Sequence, residues 1–558
     1  MNQNITTIAY FSAEIGISDN LPTYSGGLGV LAGDHIKSSA DAGLPMVGIS
    51  ILYKEGYFKQ SIDQSGHQLE SYPRINLESE LEKLPEIFSI KLRGREIFIQ
   101  AYKYLCKGEK GQVIPIYFLD TDFDQNCNDD RIISLRLYSG DKDHRILQEA
   151  LLGIGGIKLL ETLGYDGINT YHMNEGHCSF LTLALLDKFG SNENKVKSLC
   201  HFTTHTPVDA GHDHFSVDRV RNILGENLPE KLDLPSWLKH NRLHMTELGL
   251  YFSRSANGVS KLHGKVAQDQ FPNSDIGYIT NGVYHPHWLG KSFRKIFDAE
   301  ISGWRTNPSL LLDLSNLSDD DISNAHKLQK QDLIGYVNSK SNKNLSSDIL
   351  TIGFARRAAE YKRATLVFSD LERLVEIGKG KLQIVFSGKA HPKDDGGKSI
   401  IKQIVNKSHH LAGSIEIVFL ENYNMHLGHI ITSGVDVWLN TPLRPHEASG
   451  TSGMKATLNG IPNLSILDGW WEEGCIHGEN GWAIGSADYC NDAADAKSLY
   501  DLLESDVIPI YYNNRDRWIQ IMRKSIATAV DFTGHRMIKQ YHQKFYQEKK
   551  EKILNHTK

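Results

Sequence analysis

The chain has 558 residues, of which 40% are hydrophobic and 23% charged, with a formal net charge of −6. This length exceeds a single hydrophobic core and predicts two or three domains, while the acidic balance argues against nucleic acid or an anionic membrane as the main partner. No run approaches the roughly 18 apolar residues of a membrane span, the N-terminus lacks a signal-peptide pattern, and the six cysteines form no CxxC pair, so we expect a cytoplasmic protein with free thiols.

Apolar runs and helical patterns alternate along the first part of the chain. β-Branched and aromatic residues favour strands, and a repeat of three to four residues favours helices. The predicted elements are strands at 6–12, 46–53, 114–120 and 198–205, a helix at 145–164, and a hairpin at 87–102 whose turn is "RGRE" at 93–96.

The second part of the chain alternates more regularly. Its predicted elements are buried strands at 350–356, 382–388, 415–423, 436–441 and 461–467, with helices at 364–380 and 396–408 between them. This βα alternation predicts an α/β protein with a parallel sheet. A Gly-, Pro- and His-rich stretch near 284–290 divides the chain into a domain of residues 1–286 and a domain of residues 287–558. Two such domains form a cleft at the carboxyl ends of their strands, where we expect the chemistry.

A glycine turn precedes a predicted helix in "YSGGLGVLAGD", residues 24–34. Gly26 and Gly27 allow backbone N–H groups to approach an anion, and the helix beginning near Leu28 adds its positive dipole end. The letters "GLGVLA" also match a dinucleotide fingerprint, but the preceding strand ends near Ser12 instead of directly before the glycines. An anion cradle, a tight structural turn and a dinucleotide site all remain open for this segment.

A cationic cluster follows the predicted strand at 350–356. "FARRAAEYKR" places Arg356, Arg357, Lys362 and Arg363 at a strand end, where a ligand of an α/β protein is expected. Such a cluster suits phosphate binding, although charge runs are often simply solvated.

"RPHEASGTSGMKATLNG", residues 444–460, joins a flexible loop to a predicted helix. The loop amides and the helix dipole meet at one point, which suits an anion. Lys455 is then a phosphate contact, a solvated surface residue or a lysine that holds pyridoxal phosphate, and the residue types do not choose among these.

Polar residues accumulate at other predicted strand ends. "HMNEGH" contributes Asn174, Glu175 and His177, "TTHTP" contributes His205, and "ITNG" contributes Asn281. Each alone suits a satisfied turn, but together they have the hydrogen-bonding groups of a sugar pocket.

The histidines of "GHDH", His212 and His214, raise the question of a metal site. No carboxylate or further histidine recurs at ligand spacing to complete one, so we predict no metal. Neither a GxSxG elbow nor a Walker A loop occurs, which argues against a serine hydrolase and a P-loop kinase.

The order of these motifs resembles the α-glucan phosphorylases, the family of glycogen, starch and maltodextrin phosphorylases. The resemblance covers nearly the whole chain and is carried by "YFSAEIG", "YSGGLGVLAGD", "NEGH", "THT", "NGVSKLHG", "ITNGV", "EYKR", "VFLENY" and "EASGTSGMK" followed by "LNG" and "LDG". It implies a GT-B fold, in which two Rossmann-like domains hold the active site in the cleft between them. It also implies pyridoxal 5'-phosphate as cofactor, held on Lys455.

The resemblance assigns a role to each matching residue. It implies that Arg357 and Lys362 act on the substrate and cofactor phosphates, with Arg356 beside them, and that His205 and Glu447 complete the catalytic group. It places Tyr423, Gly450, Thr451, Gly26 and Gly27 around the cofactor and phosphates, and Leu28, Asn174, His177, Asn281 and Ser449 around the glucosyl unit.

The implied reaction is retaining phosphorolysis of an α-1,4-glucan to α-glucose 1-phosphate, assisted by the cofactor phosphate. The implied ligands are the glucan, inorganic phosphate and glucose 1-phosphate, with neither nucleic acid nor membrane, and a homo-oligomer stays open. The nearest alternative is a nucleotide-sugar glucosyltransferase of the glycogen synthase kind, which shares the fold and needs no pyridoxal phosphate.

Several positions depart from the family's motifs. Gly453 stands where the family has asparagine, Glu175 where long phosphorylases have aspartate, Ala359 where they have histidine, and "LDGWWEEG" replaces "LDGANVE". The chain also begins almost directly at "AYFSAEIG", so we expect a short microbial-type enzyme without an N-terminal regulatory extension.

Overall fold

The protein is an α/β molecule with two large sheets, seen in a computed structural model that describes residues 7–77, 79–228, 238–239, 241–488 and 491–547. The strands are β1 (Ile8–Ser12), β2 (Met46–Ile51), β3 (Lys59–Ile62), β4 (Gln68–Ser71), β5 (Glu82–Leu92), β6 (Arg95–Lys107), β7 (Val113–Asp120), β8 (Thr170–Asn174), β9 (Cys200–Thr203), β10 (His214–Ser216), β11 (Leu238–Lys239), β12 (Arg242–His244), β13 (Ser255–Gly258), β14 (Ile276–Tyr278), β15 (Leu350–Ala355), β16 (Leu382–Ser387), β17 (Glu416–Leu420), β18 (Val437–Asn440), β19 (Asn463–Ile466) and β20 (Gly481–Ile484).

Along the chain, most helices follow one strand and precede the next. They are α1 (Gly27–Asp41), α2 (Asn128–Arg131), α3 (Lys142–Ala150), α4 (Gly156–Thr162), α5 (Leu181–Lys188), α6 (Glu193–Leu199), α7 (Val217–Leu224), α8 (Met245–Tyr251), α9 (Lys261–Gln270), α10 (His285–Trp288), α11 (Lys291–Glu300), α12 (Asp319–Lys340), α13 (Leu371–Gly378), α14 (Asp395–His410), α15 (Met425–Gly434), α16 (Ser452–Leu458), α17 (Trp471–Gly474), α18 (Asp492–Leu502), α19 (Ile508–Asn513), α20 (Arg515–Ala529) and α21 (Gly534–Tyr541). Within the described residues, no helix is both long and apolar enough to cross a membrane.

The first sheet has the strand order β14-β13-β9-β8-β1-β2-β7-β6-β5. Its strands are parallel from β14 to β7, and β6 and β5 extend it as antiparallel neighbours. The second sheet, β17-β16-β15-β18-β19-β20, is parallel throughout. Parallel strands are covered by helices on both faces, which explains why all six residues of β15 are buried and why the sequence shows apolar runs there.

The predicted strands are confirmed, although their ends differ by a few residues, and two local predictions are refined. The hairpin turn is only Arg93 and Gly94, with φ of 53° and 70°, while Arg95 and Glu96 already belong to β6. The predicted helix at 145–164 is interrupted by a π-helical segment, Leu151–Gly155. There Gly153 packs so closely on the start of α5 that an added Cβ would lie 2.4 Å from the Leu181 nitrogen.

The C-terminal segment returns to the first sheet. Met537, Ile538 and Tyr541 of α21 share a buried cluster with Ile8 and Tyr10 of β1. The hairpin β3–β4 reaches in the opposite direction, from the first part of the chain to the loops of the second sheet. Its Gln60 side chain donates to the Gly388 carbonyl and accepts from the Asn422 amide.

Candidate active site

Glu447 lies at the centre of a buried cationic cluster at the carboxyl end of the second sheet. Its Oε2 is 2.7 Å from Arg356 Nη2 and 2.5 Å from Lys362 Nζ, and all three side chains are buried. Burial by itself raises the pKa of Glu447, but the two cations outweigh this effect and lower the pKa to about 2. Glu447 is therefore a carboxylate that orders Arg356 and Lys362.

Arg357 is the exposed member of the cationic cluster. It follows Arg356 directly after β15, and its Nη2 lies 3.5 Å from the hydroxyl of Tyr361. Arg356 and Lys362 are occupied by Glu447, so Arg357 offers its guanidinium to an incoming anion. Arg363, the fourth cation of this motif, points away and pairs with Asp495 at 2.8 Å.

The loop after Glu447 turns through a glycine with a left-handed backbone conformation before α16 begins. Gly450 has φ of 73°, a conformation that favours glycine, and Thr451 is the last residue before α16. Ser449 is buried, and its Oγ has no hydrogen-bond partner among the described residues. Such a buried hydroxyl is available for a hydrogen bond with a ligand or a water molecule.

Asp468, in "LDGWW", anchors this loop. Its carboxylate accepts hydrogen bonds from the Glu447 and Gly469 amides at 2.9 Å and 2.8 Å. Burial and then the Glu447 charge raise the pKa of Asp468 to about 7. The loop between β18 and α16 is thus fixed to the loop that follows β19.

Lys455 is a buried amine at the first turns of α16. Its Nζ lies 3.6 Å from the centroid of the Trp288 ring and makes no hydrogen bond or ion pair with any described residue. The Trp288 indole in turn donates to the Asp34 carboxylate of α1 at 2.9 Å. Burial lowers the pKa of Lys455 to about 8, despite the nearby Asp34 charge.

The glycine turn before α1 is organised by Glu14. The Glu14 carboxylate accepts hydrogen bonds from the Ser25 and Gly26 amides and from the Tyr138 hydroxyl, at 2.5, 3.3 and 2.8 Å. A Cβ added at Gly26 or Gly27 would meet no atom within 4 Å, so open space faces the turn. Leu28 lies in the first turn of α1 and is partly buried.

His205 is held as a neutral imidazole at the end of β9. Its Nε2 lies 2.7 Å from Asn174 Oδ1, and the Asn174 amide donates to Ser12, whose hydroxyl donates to the Glu14 carbonyl. This chain of donors fixes Asn174 Oδ1 as an acceptor, so His205 carries its proton on Nε2 and leaves Nδ1 as an acceptor. Burial lowers the pKa of His205 to about 3.

The remaining predicted site residues are spread around this centre. Asn281 is buried with an unpaired Oδ1, and Tyr423 is partly buried, where burial raises its pKa to about 12. His177 instead faces Asp213, with 3.5 Å between Nε2 and Oδ2. Direct side-chain contacts thus join Arg356, Lys362 and Glu447, and also His205 and Asn174, but His177 is engaged elsewhere.

Four of the hydrogen bonds between the loops of the two sheets lie near these residues. The Ser260 hydroxyl donates to the Ala448 carbonyl at 2.6 Å, and the Tyr24 hydroxyl accepts from the Met425 amide at 2.9 Å. Glu473 accepts from both Thr280 and the Lys261 amide. These hydrogen bonds join loops next to predicted site residues of both sheets, with Ala448 between Glu447 and Ser449, and Thr280 beside Asn281.

Comparison with known proteins shows which family the chain belongs to. A profile described as carbohydrate phosphorylase matches residues 212–473. The chain is 41% identical to a maltodextrin phosphorylase of Thermococcus litoralis, over 97% of this chain and 70% of that protein. It is 35% identical to glycogen phosphorylases of Mycobacterium tuberculosis and Aquifex aeolicus, each over 97% of this chain, and over 71% and 86% of those proteins.

The chain belongs to the carbohydrate phosphorylase family. The family resemblance drawn from the motifs is thereby confirmed, and the dinucleotide interpretation of "GLGVLA" is not supported. In this family member the glycines follow β1 only after an intervening segment, and Glu14 occupies two amides of the turn.

Several residues of this phosphorylase-family site escaped the sequence analysis. Glu14, Trp288 and Asp468 each contact a predicted site residue or its loop, and Asp34 accepts the hydrogen bond of Trp288. Glu14 and Asp468 lie within motifs that carry the resemblance, "YFSAEIG" and "LDG", but their residue types alone do not reveal whose amides they accept. The carboxylates become recognisable only when their buried partners are known.

Proposed function

We propose that the protein is an α-1,4-glucan phosphorylase that transfers the non-reducing terminal glucosyl unit to inorganic phosphate, giving α-glucose 1-phosphate with retention. The observation that carries the proposal is the cationic cluster around Glu447, with Arg357 exposed, together with the buried Lys455 on the helix that follows the Glu447 loop, whose ammonium makes no hydrogen bond or ion pair with any described residue. A phosphate dianion at this place would be neutralised by preorganised charge.

We further propose a GT-B arrangement in which the two sheets are the cores of two Rossmann-like domains and the active site lies between them. The division into residues 1–286 and 287–558 follows the change from one sheet to the other, with α21 added to the first domain by its packing on β1. The glucan would enter between the loops of the two domains. The free cysteines among the described residues suit a reducing compartment, so we place the enzyme in the cytoplasm.

The residues around Lys455 fit pyridoxal 5'-phosphate. A buried ammonium without a partner is unfavourable, and burial favours the neutral amine that an aldehyde requires. Lys455 would hold the cofactor, with Trp288 beside it and with Gly450, Thr451, Tyr423, Gly26 and Gly27 around it. When bound, the cofactor supplies a second phosphate group for acid–base chemistry next to the substrate phosphate.

The chain's own residues then bind and orient the reactants. Arg357 would bind the substrate phosphate, while Arg356 and Lys362, ordered by Glu447, would counter the charge of two neighbouring phosphates. Neutral His205 would accept a hydrogen bond from a glucosyl hydroxyl at Nδ1 and would not act as an imidazolium acid. Ser449 and Asn281 would use their unpaired oxygens on the same sugar, with Leu28 and Asn174 at its border.

The decisive experiment measures phosphate-dependent release of glucose 1-phosphate from maltooligosaccharides of graded length. We expect release by the wild-type protein, and loss both of cofactor and of activity in Lys455→Ala. Lys379→Ala changes a surface lysine of the second half and serves as the matched control. A Lys455→Ala protein with full activity would contradict the assignment.

The alternative glucosyltransferase is tested with the same protein. It predicts glucosyl transfer from a nucleotide sugar to maltooligosaccharide without pyridoxal phosphate and without phosphate dependence. Transfer from a nucleotide sugar, combined with no release of glucose 1-phosphate, would favour the alternative.

A further inference from the structure

Three potential metal ligands converge outside the proposed active site. The ligand atoms of Asp209, His214 and His244 all lie within 4.8 Å of one another. The imidazole rings of His214 and His244 have centroids 4.1 Å apart and meet edge to face. This donor set was not visible in the sequence, where His214 had no partner at ligand spacing.

The local fold explains this convergence. His214 of β10 and His244 of β12 are direct cross-strand partners in a small antiparallel sheet. Directly opposed residues of antiparallel strands project from the same face, so the two imidazoles must be neighbours. Asp209 opens the 3-10 turn Asp209–Gly211, which brings its carboxylate back over the start of β10.

Two of the three side chains have no other polar partner among the described residues. Among the described residues, the Asp209 carboxylate and the His214 imidazole form neither a hydrogen bond nor an ion pair, and Asp209 is exposed. His244 is buried, and its Nδ1 lies 3.4 Å from the Glu247 amide, a long contact for a hydrogen bond.

We propose that Asp209, His214 and His244 bind a divalent transition metal ion of the zinc type. Two histidine nitrogens and one carboxylate oxygen are a donor set that zinc accepts, with bonds of about 2.0–2.2 Å. Ligand atoms around a tetrahedral zinc lie roughly 3.3 Å apart. We expect rotation of the exposed Asp209 and the half-buried His214 side chains to close the present spacing to that value. The fourth position is open to water.

Metal binding would restrain the segment between β9 and β10. This segment begins at His205 and Thr206, both of which donate to the Glu175 carboxylate, and it ends at His214. A metal that joins Asp209 to two strands would tether this segment at its far end. None of the three proposed ligands is among the residues proposed for glucan or phosphate, so metal binding can be measured separately from the proposed reaction.

The test uses protein freed of metal with a chelator, dialysed, and titrated with zinc chloride by calorimetry. We expect one saturable equivalent in the wild-type protein and at least tenfold weaker binding in Asp209→Asn and His214→Gln. His409→Gln changes an exposed histidine of α14 and should bind zinc like the wild type. Cobalt substitution provides a second measurement, because a tetrahedral site with histidine ligands gives visible absorption bands that both variants should lose.

Both substituted side chains are at least partly exposed, so the variants should fold, which circular dichroism verifies. A melting temperature that rises with zinc in the wild type, and does not rise in His214→Gln, would support the site. Equal zinc affinity in all four proteins, or no saturable equivalent in any, would overturn it. The glucose 1-phosphate assay is not needed for either outcome.

Discussion

Gly453 and Trp470 share one volume beside the helix that carries Lys455. A Cβ added at Gly453 would lie 2.3 Å from Asn463 Oδ1 and 3.0 Å from Trp470 Cζ2. Trp470 is buried and packs against Phe532, with 4.7 Å between ring centroids. The two positions that depart from the family's motifs, Gly453 and Trp470, therefore lie against each other in this chain.

At the residue scale, Gly453→Asn should destabilise the protein. The new side chain overpacks a rigid region, which typically lowers the free energy of unfolding by about 1–3 kcal/mol. Trp470→Ala combined with Gly453→Asn should cost less than the sum of the single changes, because the indole no longer opposes the asparagine. Urea denaturation of the two single variants and the double variant measures this coupling.

Gly380→Asn is the matched control, since a Cβ there meets no atom within 4 Å and asparagine tolerates its φ of 71°. We expect it to change the free energy of unfolding by less than about 0.5 kcal/mol. Additive effects of Gly453→Asn and Trp470→Ala would refute the shared volume.

At the scale of secondary-structure elements, the glycine turn before α1 is held in place by Glu14. Gly26 caps α1 without a side-chain hydrogen bond, and the buried Glu14 carboxylate holds the Ser25 and Gly26 amides instead. Burial raises the pKa of Glu14, while these hydrogen bonds and that of Tyr138 oppose the increase. The shape of the turn is thus set by Glu14, in the loop that follows β1, as well as by the glycines.

Glu14→Gln should loosen this turn, because an amide side chain offers fewer acceptors to the same donors. Loss of a hydrogen bond to a charged group typically lowers the free energy of unfolding by about 2 kcal/mol. If the turn faces phosphate as proposed, the KM for phosphate should rise more than the KM for maltooligosaccharide. The control Glu96→Gln, at an exposed position of β6, should leave both KM values unchanged. A Glu14→Gln protein whose KM for maltooligosaccharide rises more than its KM for phosphate would contradict the placement of the turn.

Buried histidines join the C-terminal segment to the first sheet at the scale of the whole molecule. His35 and His172 both lie within hydrogen-bonding distance of the Tyr546 hydroxyl, at 2.9 and 2.6 Å. His201 contacts Asn257, whose side-chain amide donates to the Tyr541 hydroxyl. Burial lowers the pKa of His35 and of His201 to about 3, so these imidazoles are neutral in the folded protein.

This network predicts a loss of stability in acid. The unfolded state binds protons at these histidines below their ordinary pKa of about 6.5, while the folded state does not. Their contribution is therefore complete above pH 6.5 and is lost as the pH falls toward 3. Between about pH 6.5 and 5, His201 alone should remove about 2 kcal/mol from the free energy of unfolding.

Denaturation by urea across this pH range measures the effect in the wild type and in His201→Gln. The variant should show a shallower decline, whereas His409→Gln, at an exposed position, should follow the wild type. Identical slopes for His201→Gln and the wild type would show that acid lability arises elsewhere.

The sequence by itself determined the α/β class, the parallel strands and the family. Strands that helices cover on both faces are mostly apolar, so the sequence predicted β15, β16 and β18 from short runs of apolar residues, and the structure buries all of their residues. Local turn chemistry also placed Gly450 and Lys455 correctly at a loop and a helix start. Strands and turns of this kind depend on residues that are neighbours along the chain, and the family is recognised from the order of the motifs, which is a property of the sequence.

Only the tertiary structure decided how the side chains are paired. The ion pairs of Glu447, the Trp288 ring over Lys455, the return of α21 to β1 and the meeting of His214 with His244 all join residues distant in sequence. The protonation of Glu447, His205 and Lys455 likewise depends on burial and on charges brought by other elements. Hydrogen bonding and desolvation act over a few ångströms of space, and chain order alone does not set those distances.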